Sequence, residues 1–322
     1  MRSQQDNAGG LRHLVTLDGL ARDSLTAILD RAESYRRFAG QPAYEGRELA
    51  GVTVANLFFE PSTRTRASFD LAARRLGAHV LNMDLHSSSR VKGESMLDTI
   101  YTLEAMNTDV FVIRDSQAGL SEFLIDHVAP HVSVISAGEA NLSHPTQGLL
   151  DVLTIRAHKR RFAGLKVAIV GDIMHSRVAR SAAQALATLG TTDLRLVAPQ
   201  ALLPPQDEFP GARRFTRIED GIAAADVVMM LRIQKERMAQ SASLDDAAYF
   251  REFGLTAARM RLASPSALVM HPGPMNRGVE IASDVADGPR SVIREQVNNG
   301  VAVRMAVLAT IAATLTRHRR PL

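Results

Sequence analysis

Apolar runs with the character of buried β-strands alternate with helical stretches along most of this 322-residue chain. The strand-like runs lie at 52–57, 80–83, 109–114, 132–136, 167–171, 194–198, 227–231 and 268–271. Helical periodicity lies between them, at 64–76, 94–106, 119–128, 147–156, 176–189 and 218–225. Near-continuous apolar strands that alternate with helices are typical of parallel sheets covered by helices on both faces. The predicted fold class is therefore α/β.

The length of the chain suits two domains better than a single hydrophobic core. Eight strands could close one barrel, but Phe162-Ala163-Gly164 breaks the alternation at mid-chain, after a polar helix end. We therefore predict two open, mostly parallel-sheet α/β domains linked by a helix near 145–160. A further apolar helix is predicted at 301–315, and it could pack on either domain. The stretch 245–254 is expected to be a loop or an irregular piece.

Composition excludes several classes of function. The chain has no cysteine, which rules out disulfides, thiolate metal sites and a cysteine nucleophile. A net charge of only +4 with no tryptophan and four tyrosines argues against a nucleic-acid surface. The absence of cysteine also fits a cytoplasmic enzyme. No continuous apolar run reaches the ~18–20 residues that span a bilayer, and the N-terminus is polar, so we expect no membrane contact. The histidines lack paired metal-ligand spacing, so no metal or other cofactor is expected.

The turn after the first predicted strand is rich in donors for an anion. This segment, which we call the anion loop, reads Phe58-Phe59-Glu60-Pro61-Ser62-Thr63-Arg64-Thr65-Arg66 and precedes a predicted helix. The N–H groups and the dipole of a first helical turn favour negative charge, and arginines add forked, charged donors. The alternative is an ordinary N-cap with solvated arginines. A cap needs only one Ser or Thr, however, and two arginines at the positive end of a helix are unfavourable without an anion.

Other polar residues follow the later strands of the first half, where ligands of open α/β sheets bind. The loop 87–95 either reaches a neighbouring site or is a mobile surface loop. Arg114 ends a strand and could clamp an anion or form a surface salt bridge. Pro145 can start a helix, which places His144 and Gln147 at its N-terminus. A neutral imidazole there can donate to a carbonyl oxygen, although a histidine that only packs is the alternative.

The second half offers groups suited to a carboxylate and an amide. The segment 171–177 follows a strand but lacks the second and third glycines of a dinucleotide-binding turn, so we reject that site. Arg177 instead lies early in a helix, where it suits a carboxylate. Alternation along the chain after 227–231 would put Arg232 and Gln234 on one face. The turn His271-Pro272-Gly273-Pro274 presents carbonyls that can accept bonds from an amide.

In their order and approximate spacing, these parts resemble the catalytic chain of the aspartate transcarbamoylases from about Leu14 to the C-terminus. The resemblance is carried by the anion loop, Lys92-Gly93-Glu94, His144-Pro145-Thr146-Gln147, Arg232-Ile233-Gln234-Lys235-Glu236-Arg237 and His271-Pro272-Gly273-Pro274. The ornithine branch usually has cysteine in the corresponding His-Pro-Cys-Gln and His-Cys-Leu-Pro segments. Because this chain has Thr146 and no cysteine, the aspartate branch is favoured.

The resemblance implies transfer of a carbamoyl group from carbamoyl phosphate to L-aspartate in de novo pyrimidine biosynthesis. It places the donor against Ser62, Thr63, Arg64, Thr65 and Arg114. It directs the catalytic residues Arg64, Thr65 and His144 at the carbamoyl oxygen. It assigns the carbamoyl amide to Gln147 and the carbonyls of Pro272 and Gly273, with Pro274 fixing the turn.

The same resemblance assigns the two carboxylates of L-aspartate to Arg177, Arg232 and Gln234. It implies a homotrimer with shared active sites, in which Ser88 and Lys92 reach the active site of the neighbouring subunit. The alignment at Ser88 is uncertain by one residue. It implies a carbamoyl-phosphate domain of residues 1–150 plus 299–322, an aspartate domain of residues 151–298, and an active site in the interdomain cleft.

Gly273 stands where the enteric pattern has leucine, and Met275-Asn276-Arg277-Gly278-Val279-Glu280 follows. This variant resembles bacterial forms that associate with dihydroorotase or a dihydroorotase-like partner in an allosteric complex. Two rival functions remain at this stage. One is a carbamoyltransferase for ornithine, and the other is an inactive scaffold subunit of a dihydroorotase complex.

Overall fold

Two parallel sheets form the framework of the computed structural model, which describes residues 4–84, 95–237 and 245–318. The strands of the first sheet are β1 (Thr53–Phe58), β2 (His79–Asp84), β3 (Val110–Asp115) and β4 (Ser133–Glu139). Those of the second are β5 (Lys166–Val170), β6 (Asp193–Val197), β7 (Arg213–Phe215), β8 (Val227–Met230) and β9 (Leu268–Met270). Their spatial orders are β2-β1-β3-β4 and β7-β6-β5-β8-β9, and every pair of named strands is parallel. The prediction of an α/β fold with two parallel sheets is confirmed.

Helices separate the strands. The first five are α1 (Arg22–Tyr35), α2 (Thr63–Arg75), α3 (Met96–Ala105), α4 (Leu120–Ile125) and α5 (Pro145–Lys159). The next five are α6 (Arg177–Leu189), α7 (Ile218–Ile222), α8 (Asp246–Phe253), α9 (Ala257–Met260) and α10 (Ser283–Ala286), and α11 (Ile293–His318) follows. Single 3-10 turns lie at Gln200–Leu202, Gln206–Glu208 and Lys235–Arg237.

The chain forms two compact units, and each contains one sheet. The first unit consists of Met1–Leu149 and Asn298–Leu322, and the second consists of Leu150–Val297. The chain passes from the first unit to the second within α5 and returns within α11. Continuous helices at both crossings explain why no polar linker is visible in the sequence.

The sheet of the first unit has an apolar core. Leu57, Phe111, Ile113 and Val134 are buried in a cluster with residues of α3 and α4. Each fully buried side chain of this size contributes about 1.5–3 kcal/mol relative to an exposed one. Strand β3, one of the two central strands, is buried along nearly its whole length, which is the burial expected of a strand covered on both faces.

The second unit is built in the same way. The strands β5 and β8 are buried along nearly their whole length, and α6 turns an alanine-rich face toward the interior. Small side chains such as Ala182 and Ala185 are buried on this face. The helix ends at Gly190, which adopts the left-handed conformation typical of a glycine C-cap.

The prediction of a loop at 245–254 is wrong, because Asp246–Phe253 is helix α8. The side chain of Asp245 caps this helix by accepting bonds from the N–H groups of Ala247 and Ala248, each at 3.2 Å. Tyr249 and Phe253, four residues apart, are buried, and their rings stack with 5.5 Å between centroids. An acidic N-cap and an apolar pair at helical spacing were therefore the overlooked signals.

Other elements also differ from the sequence predictions. Helix α1 and the short strand β7 were not predicted, so the described part of the chain has nine named strands rather than eight. Helix α3 begins after Ser95, whose side chain accepts a bond from the N–H of Asp98 at 3.1 Å. The predicted start of this helix at 94 lies outside the described residues.

Helix α11 begins eight residues before the predicted start at 301. Its stretch Ile293–Leu315 is long and apolar enough to cross a membrane by length and composition, which sequence analysis did not expect. Of the most apolar 18-residue window, 72% is buried inside the protein. This burial is that of a core helix.

The segment before α1 extends the edge of the first sheet. Leu14 forms a parallel bridge with Ile135, and the N–H of Leu14 donates to the carbonyl of Val134 at 2.9 Å. Beside it, the buried Nδ1 of His13 accepts a bond from the N–H of Val134 at 3.0 Å. Burial, followed by the nearby charge of Arg12, lowers the pKa of the His13 imidazole from its usual 6.5 to about 3. The histidine is therefore neutral in the folded protein near neutral pH.

This lowered pKa predicts acid sensitivity. Because the unfolded chain binds more protons below pH 6.5 than the folded one does, stability is lost as pH falls from 6.5 towards 3. The contribution of His13 to the free energy of unfolding should fall by up to about 1.4 kcal/mol per pH unit. His13→Asn, whose amide oxygen can accept the same bond without titrating, should flatten the pH dependence of the urea midpoint. The exposed His127→Asn serves as control, and an equal flattening in both variants would contradict the assignment.

Candidate active site

The anion loop leads from β1 into α2. Ser62 has an extended backbone, with φ −158° and ψ 100°, and directly precedes the helix. The structure describes Ser62 and all of α2. Within this segment the side chain of Ser62 makes no capping hydrogen bond, and the first helical turn contains no acidic residue. Thr65 is buried there, whereas Arg64 is exposed. The positive end of this helix dipole therefore lacks the usual protein groups that offset it, which is the condition an anion site requires.

Arg114 lies beside the anion loop. It is opposite Phe58 in the pairing of β3 with β1, so both residues are at the carboxyl edge of the first sheet. Its Nη2 is 2.9 Å from Oε1 of Glu60, and its Nη1 donates to the carbonyl of Ala137 at 3.3 Å. The side chain of Arg114 is only 11% exposed, so this ion pair is not a solvated surface pair. Sequence reasoning quoted Glu60 in the motif but did not recognise it as the partner of Arg114.

His144 and Gln147 lie at the start of α5, which begins at Pro145 as predicted. Both side chains are buried, and the carbonyl of His144 accepts a bond from the N–H of Gln147 at 2.9 Å. They follow β4, which is the neighbour of β3. The first unit thus brings the anion loop, Arg114 and His144 to the ends of three adjacent parallel strands.

A second group of predicted residues lies at the carboxyl edge of the second sheet. After β5, Gly171 has φ 131°, and a Cβ added there would lie 2.5 Å from the carbonyl oxygen of Leu231. This glycine therefore permits the close approach of the chain that follows β8. Arg177 is the first residue of α6 and is buried, while Ser176 caps the helix. A buried guanidinium at the positive end of a helix suits an anionic group.

The loop after β8 is tied to the loop after β5 through Asp172 and His175. The carboxylate of Asp172 accepts bonds from the N–H of Gln234 at 3.1 Å and lies 2.8 Å from Nδ1 of His175. The carbonyl of His175 accepts bonds from Nε2 of Gln234 at 2.9 Å and from Nη1 of Arg237 at 3.1 Å. The side chain of Gln234 is thus held by His175. Sequence reasoning did not assign roles to Asp172 and His175, because their partners lie about sixty residues away.

Arg232 is half-buried in the same loop, and Ile233 beside it is fully buried. The turn His271-Pro272-Gly273-Pro274 follows β9, the neighbour of β8. Gly273 has φ 68°, and the Gly273–Pro274 peptide bond is cis. The second unit therefore collects Arg177, Arg232 and this turn at the ends of adjacent strands. Ser88 and Lys92 lie outside the described residues.

Comparisons with known proteins agree with both units. Residues 12–157 match the family model for the aspartate/ornithine carbamoyltransferase carbamoyl-P binding domain. Residues 163–311 match the model for the Asp/Orn binding domain of the same family. The chain belongs to the aspartate/ornithine carbamoyltransferase family of enzymes.

Solved structures of family members resemble most of the chain. Aspartate transcarbamoylase from Trypanosoma cruzi in complex with carbamoyl aspartate and phosphate is 31% identical, with a TM-score of 0.84 over 93% of this chain and 95% of that one. The same enzyme in complex with N-(phosphonacetyl)-L-aspartic acid is 30% identical, with a TM-score of 0.85 over 95% and 98%. Ornithine carbamoyltransferase from Thermus thermophilus is 26% identical, with a TM-score of 0.82 over 93% and 98%.

Substitution of Gly171 tests whether the loops after β5 and β8 approach each other as closely as the structure shows. Gly171→Ala should lower the free energy of unfolding by about 3 kcal/mol, because its Cβ would overlap the carbonyl of Leu231. Gly211→Ala is the matched control, since it also has a positive φ but nothing within 4 Å of an added Cβ. It should cost only about 1 kcal/mol. Equal losses in urea unfolding would show that backbone conformation, not close approach, requires Gly171.

Proposed function

We propose that this chain transfers the carbamoyl group of carbamoyl phosphate to the amine of L-aspartate, giving N-carbamoyl-L-aspartate and phosphate. The observation that carries the proposal is the placement of donor groups at the carboxyl edges of both sheets. The first edge has the uncapped N-terminus of α2 beside Arg114. The second has Arg177 and Arg232 after adjacent strands. These two groups suit a phosphorylated donor and a dicarboxylic acceptor, respectively.

Carbamoyl phosphate is assigned to the first unit. Its phosphate receives hydrogen bonds from Ser62, Thr63, Arg64 and Thr65 and the charge of Arg114. Because Glu60 already lies 2.9 Å from Arg114, the incoming phosphate competes with that carboxylate for the guanidinium. Binding the donor thus exchanges an internal ion pair for a substrate ion pair, which limits the desolvation cost of Arg114.

The carbamoyl group itself is assigned to residues of both units. Arg64, Thr65 and His144 donate to its oxygen, which becomes negatively charged as the amine attacks. The amide of the carbamoyl group donates to Gln147 and to the carbonyls of Pro272 and Gly273, with Pro274 fixing the turn. L-Aspartate is assigned to Arg177, Arg232 and Gln234.

The reaction needs no covalent enzyme intermediate. The amine attacks the carbamoyl carbon, a tetrahedral oxyanion forms, and phosphate leaves with the shared electron pair and can accept the amine proton. Holding two substrates in attack geometry can contribute ~7–11 kcal/mol. Loss of one oxyanion donor typically costs ~3–4 kcal/mol. Positioning and electrostatic stabilisation by the named side chains therefore account for the chemistry.

Finer assignments follow from the resemblance. We propose a cytoplasmic homotrimer in which Ser88 and Lys92 reach the active site of the neighbouring subunit. We also propose that it acts in pyrimidine biosynthesis within a larger assembly with dihydroorotase or a dihydroorotase-like chain. Residues 1–150 with 299–322 are assigned to carbamoyl phosphate, and residues 151–298 to aspartate.

The proposed reaction is tested by product analysis. Purified chain is mixed with carbonyl-¹³C carbamoyl phosphate and either L-aspartate or L-ornithine, and products are identified by ¹³C NMR. The proposal predicts N-carbamoyl-L-aspartate from the first mixture and no citrulline from the second. Citrulline formation would instead support an ornithine carbamoyltransferase, the name that the Thermus thermophilus relative carries. No product with either acceptor, even with dihydroorotase added, would support a scaffold role.

Arg64 tests the assignment of the oxyanion donors. Arg64→Ala should lower kcat by roughly 100- to 1,000-fold, because the lost charge faces the developing oxyanion. The variant should fold normally, since Arg64 is exposed. Arg74→Ala, at the other end of the same helix and bonded to Asp70, is the control and should retain turnover. Near-normal kcat in Arg64→Ala would remove this residue from the mechanism.

Arg232 tests the binding of the acceptor. Arg232→Ala should raise the KM for L-aspartate by roughly 10- to 100-fold through loss of a charge-assisted bond to a carboxylate. The KM for carbamoyl phosphate should change far less. Lys235→Ala in the same loop, which removes an exposed ion pair with Asp246, is the control. Parallel increases in both KM values would show that the loop as a whole, and not the arginine, had been disturbed.

A further inference from the structure

A buried hydrogen-bond network lies behind the turn 271–274. The side chains of His271 and Glu280 are both fully buried, and Nε2 of His271 is 3.1 Å from Oε1 of Glu280. On the other side of the ring, Nδ1 of His271 is 2.8 Å from the backbone nitrogen of Gly273. The imidazole therefore joins a buried carboxylate to the backbone of the turn.

These two contacts determine which ring nitrogen carries the proton. A backbone N–H can only donate, so Nδ1 must accept from Gly273 and cannot itself be protonated. The proton of the neutral ring is then on Nε2, where it donates to Glu280. A carboxylate at this position accepts bonds but does not donate them, and it therefore favours the tautomer that the turn requires.

The network is anchored on further elements of the second unit. Oε1 of Glu280 also accepts a bond from the N–H of Asn276 at 2.5 Å. The N–H of His271 donates to Oε1 of Gln296 in α11 at 2.9 Å, and Nε2 of Gln296 donates to Asp151 of α5 at the same distance. The backbone of His271 is thus tied to α11 and, through Gln296, to α5, while the ring is held by Glu280 and Gly273.

The stability of the folded protein does not explain why a glutamate occupies position 280. Its Oε2 is buried and has no hydrogen-bond partner within the part of the chain that the structure describes. The hydroxyl of Tyr249 is likewise buried without a partner among those residues. Burial, followed by the charges of Glu280 and Asp172, raises the pKa of Tyr249, so this neighbour stays neutral. A buried carboxylate with an unsatisfied oxygen and a neutral neighbour costs folding free energy.

The bond from Gly273 also fixes the direction of a carbonyl. The Pro272–Gly273 peptide bond is trans, so its N–H and C=O point in opposite directions. Because the N–H points at the buried ring of His271, the carbonyl of Pro272 points away from the buried network. In the proposed reaction this carbonyl accepts a bond from the carbamoyl amide.

We propose that Glu280 is a positioning residue that holds His271 in its Nε2–H form and thereby aims the carbonyl of Pro272 at the carbamoyl amide. This inference rests on the proposed carbamoyl transfer for its kinetic consequence. The tautomer itself is a property of the free protein and does not depend on that reaction.

The first experiment measures the tautomer in the full chain without substrates. The protein is labelled with ¹⁵N-histidine, and the His271 signals are assigned by their loss in His271→Asn. The expected spectrum shows a protonated Nε2 and an unprotonated Nδ1. A protonated Nδ1 would overturn the proposal whatever the chain catalyses.

The second experiment measures kinetics for Glu280→Gln. Its amide can donate to Nε2 of His271, which allows the other tautomer and places two N–H groups against each other at Gly273. We expect the KM for carbamoyl phosphate to rise ~10-fold, the KM for L-aspartate to stay within about twofold, and the ¹⁵N pattern to change. Glu219→Gln, which alters a carboxylate paired with Arg259 in the same unit, is the control and should change none of these.

A pair of histidine variants keeps the test decisive if Glu280→Gln fails to fold. His271→Asn retains an acceptor near Nδ1, whereas His271→Gln retains only a donor near Nε2. The KM for carbamoyl phosphate should therefore be lower in His271→Asn than in His271→Gln. The reverse order, or an unchanged KM in folded Glu280→Gln, would overturn the proposal. If the wild-type chain forms no N-carbamoyl-L-aspartate, the proposed function fails, while the NMR measurement still decides the tautomer.

Discussion

Parallel strand pairing is the constraint on which the remaining structure depends. Every pair of named strands in the two sheets is parallel, so the loops that follow the strands meet at one edge of each sheet. In the first unit this edge gathers the anion loop, Arg114 and the start of α5. In the second it gathers Arg177, Arg232 and the turn 271–274. Residues far apart in the chain become neighbours because of strand order alone.

The residues at the strand ends were predictable from sequence for a simple reason. Buried parallel strands are continuous apolar runs, and the first polar residues after them must lie at the carboxyl edge of the sheet. Arg114 and Arg232 were placed in this way without any knowledge of strand order. The start of α5 was predictable as well, because proline at a first helical position is a local signal.

The elements that sequence reasoning missed lack such local signals. Strand β7 has three residues, none of them fully buried, so it shows no apolar run. Helix α8 buries only two side chains, and its acidic cap reads equally well as part of a loop. The contacts of Glu60 with Arg114 and of Glu280 with His271 arise only when separate segments pack together. The binding residues themselves could therefore be predicted from the sequence. The interactions that orient them could not, because they form only when distant segments pack together.

The central claim is that the hydrogen-bond donors at the two sheet edges bind two substrates that react with each other. Those at the first edge bind the phosphorylated substrate, and those at the second edge bind the dicarboxylic one. It is tested most directly by a crystal structure of the chain with a bisubstrate phosphonate, a compound that joins a phosphonate to an aspartate group. The account predicts the phosphonate against Ser62, Thr63 and Arg114, with the two carboxylates on Arg177 and Arg232. A compound bound at other residues, or one that leaves Arg114 bonded to Glu60, would contradict it.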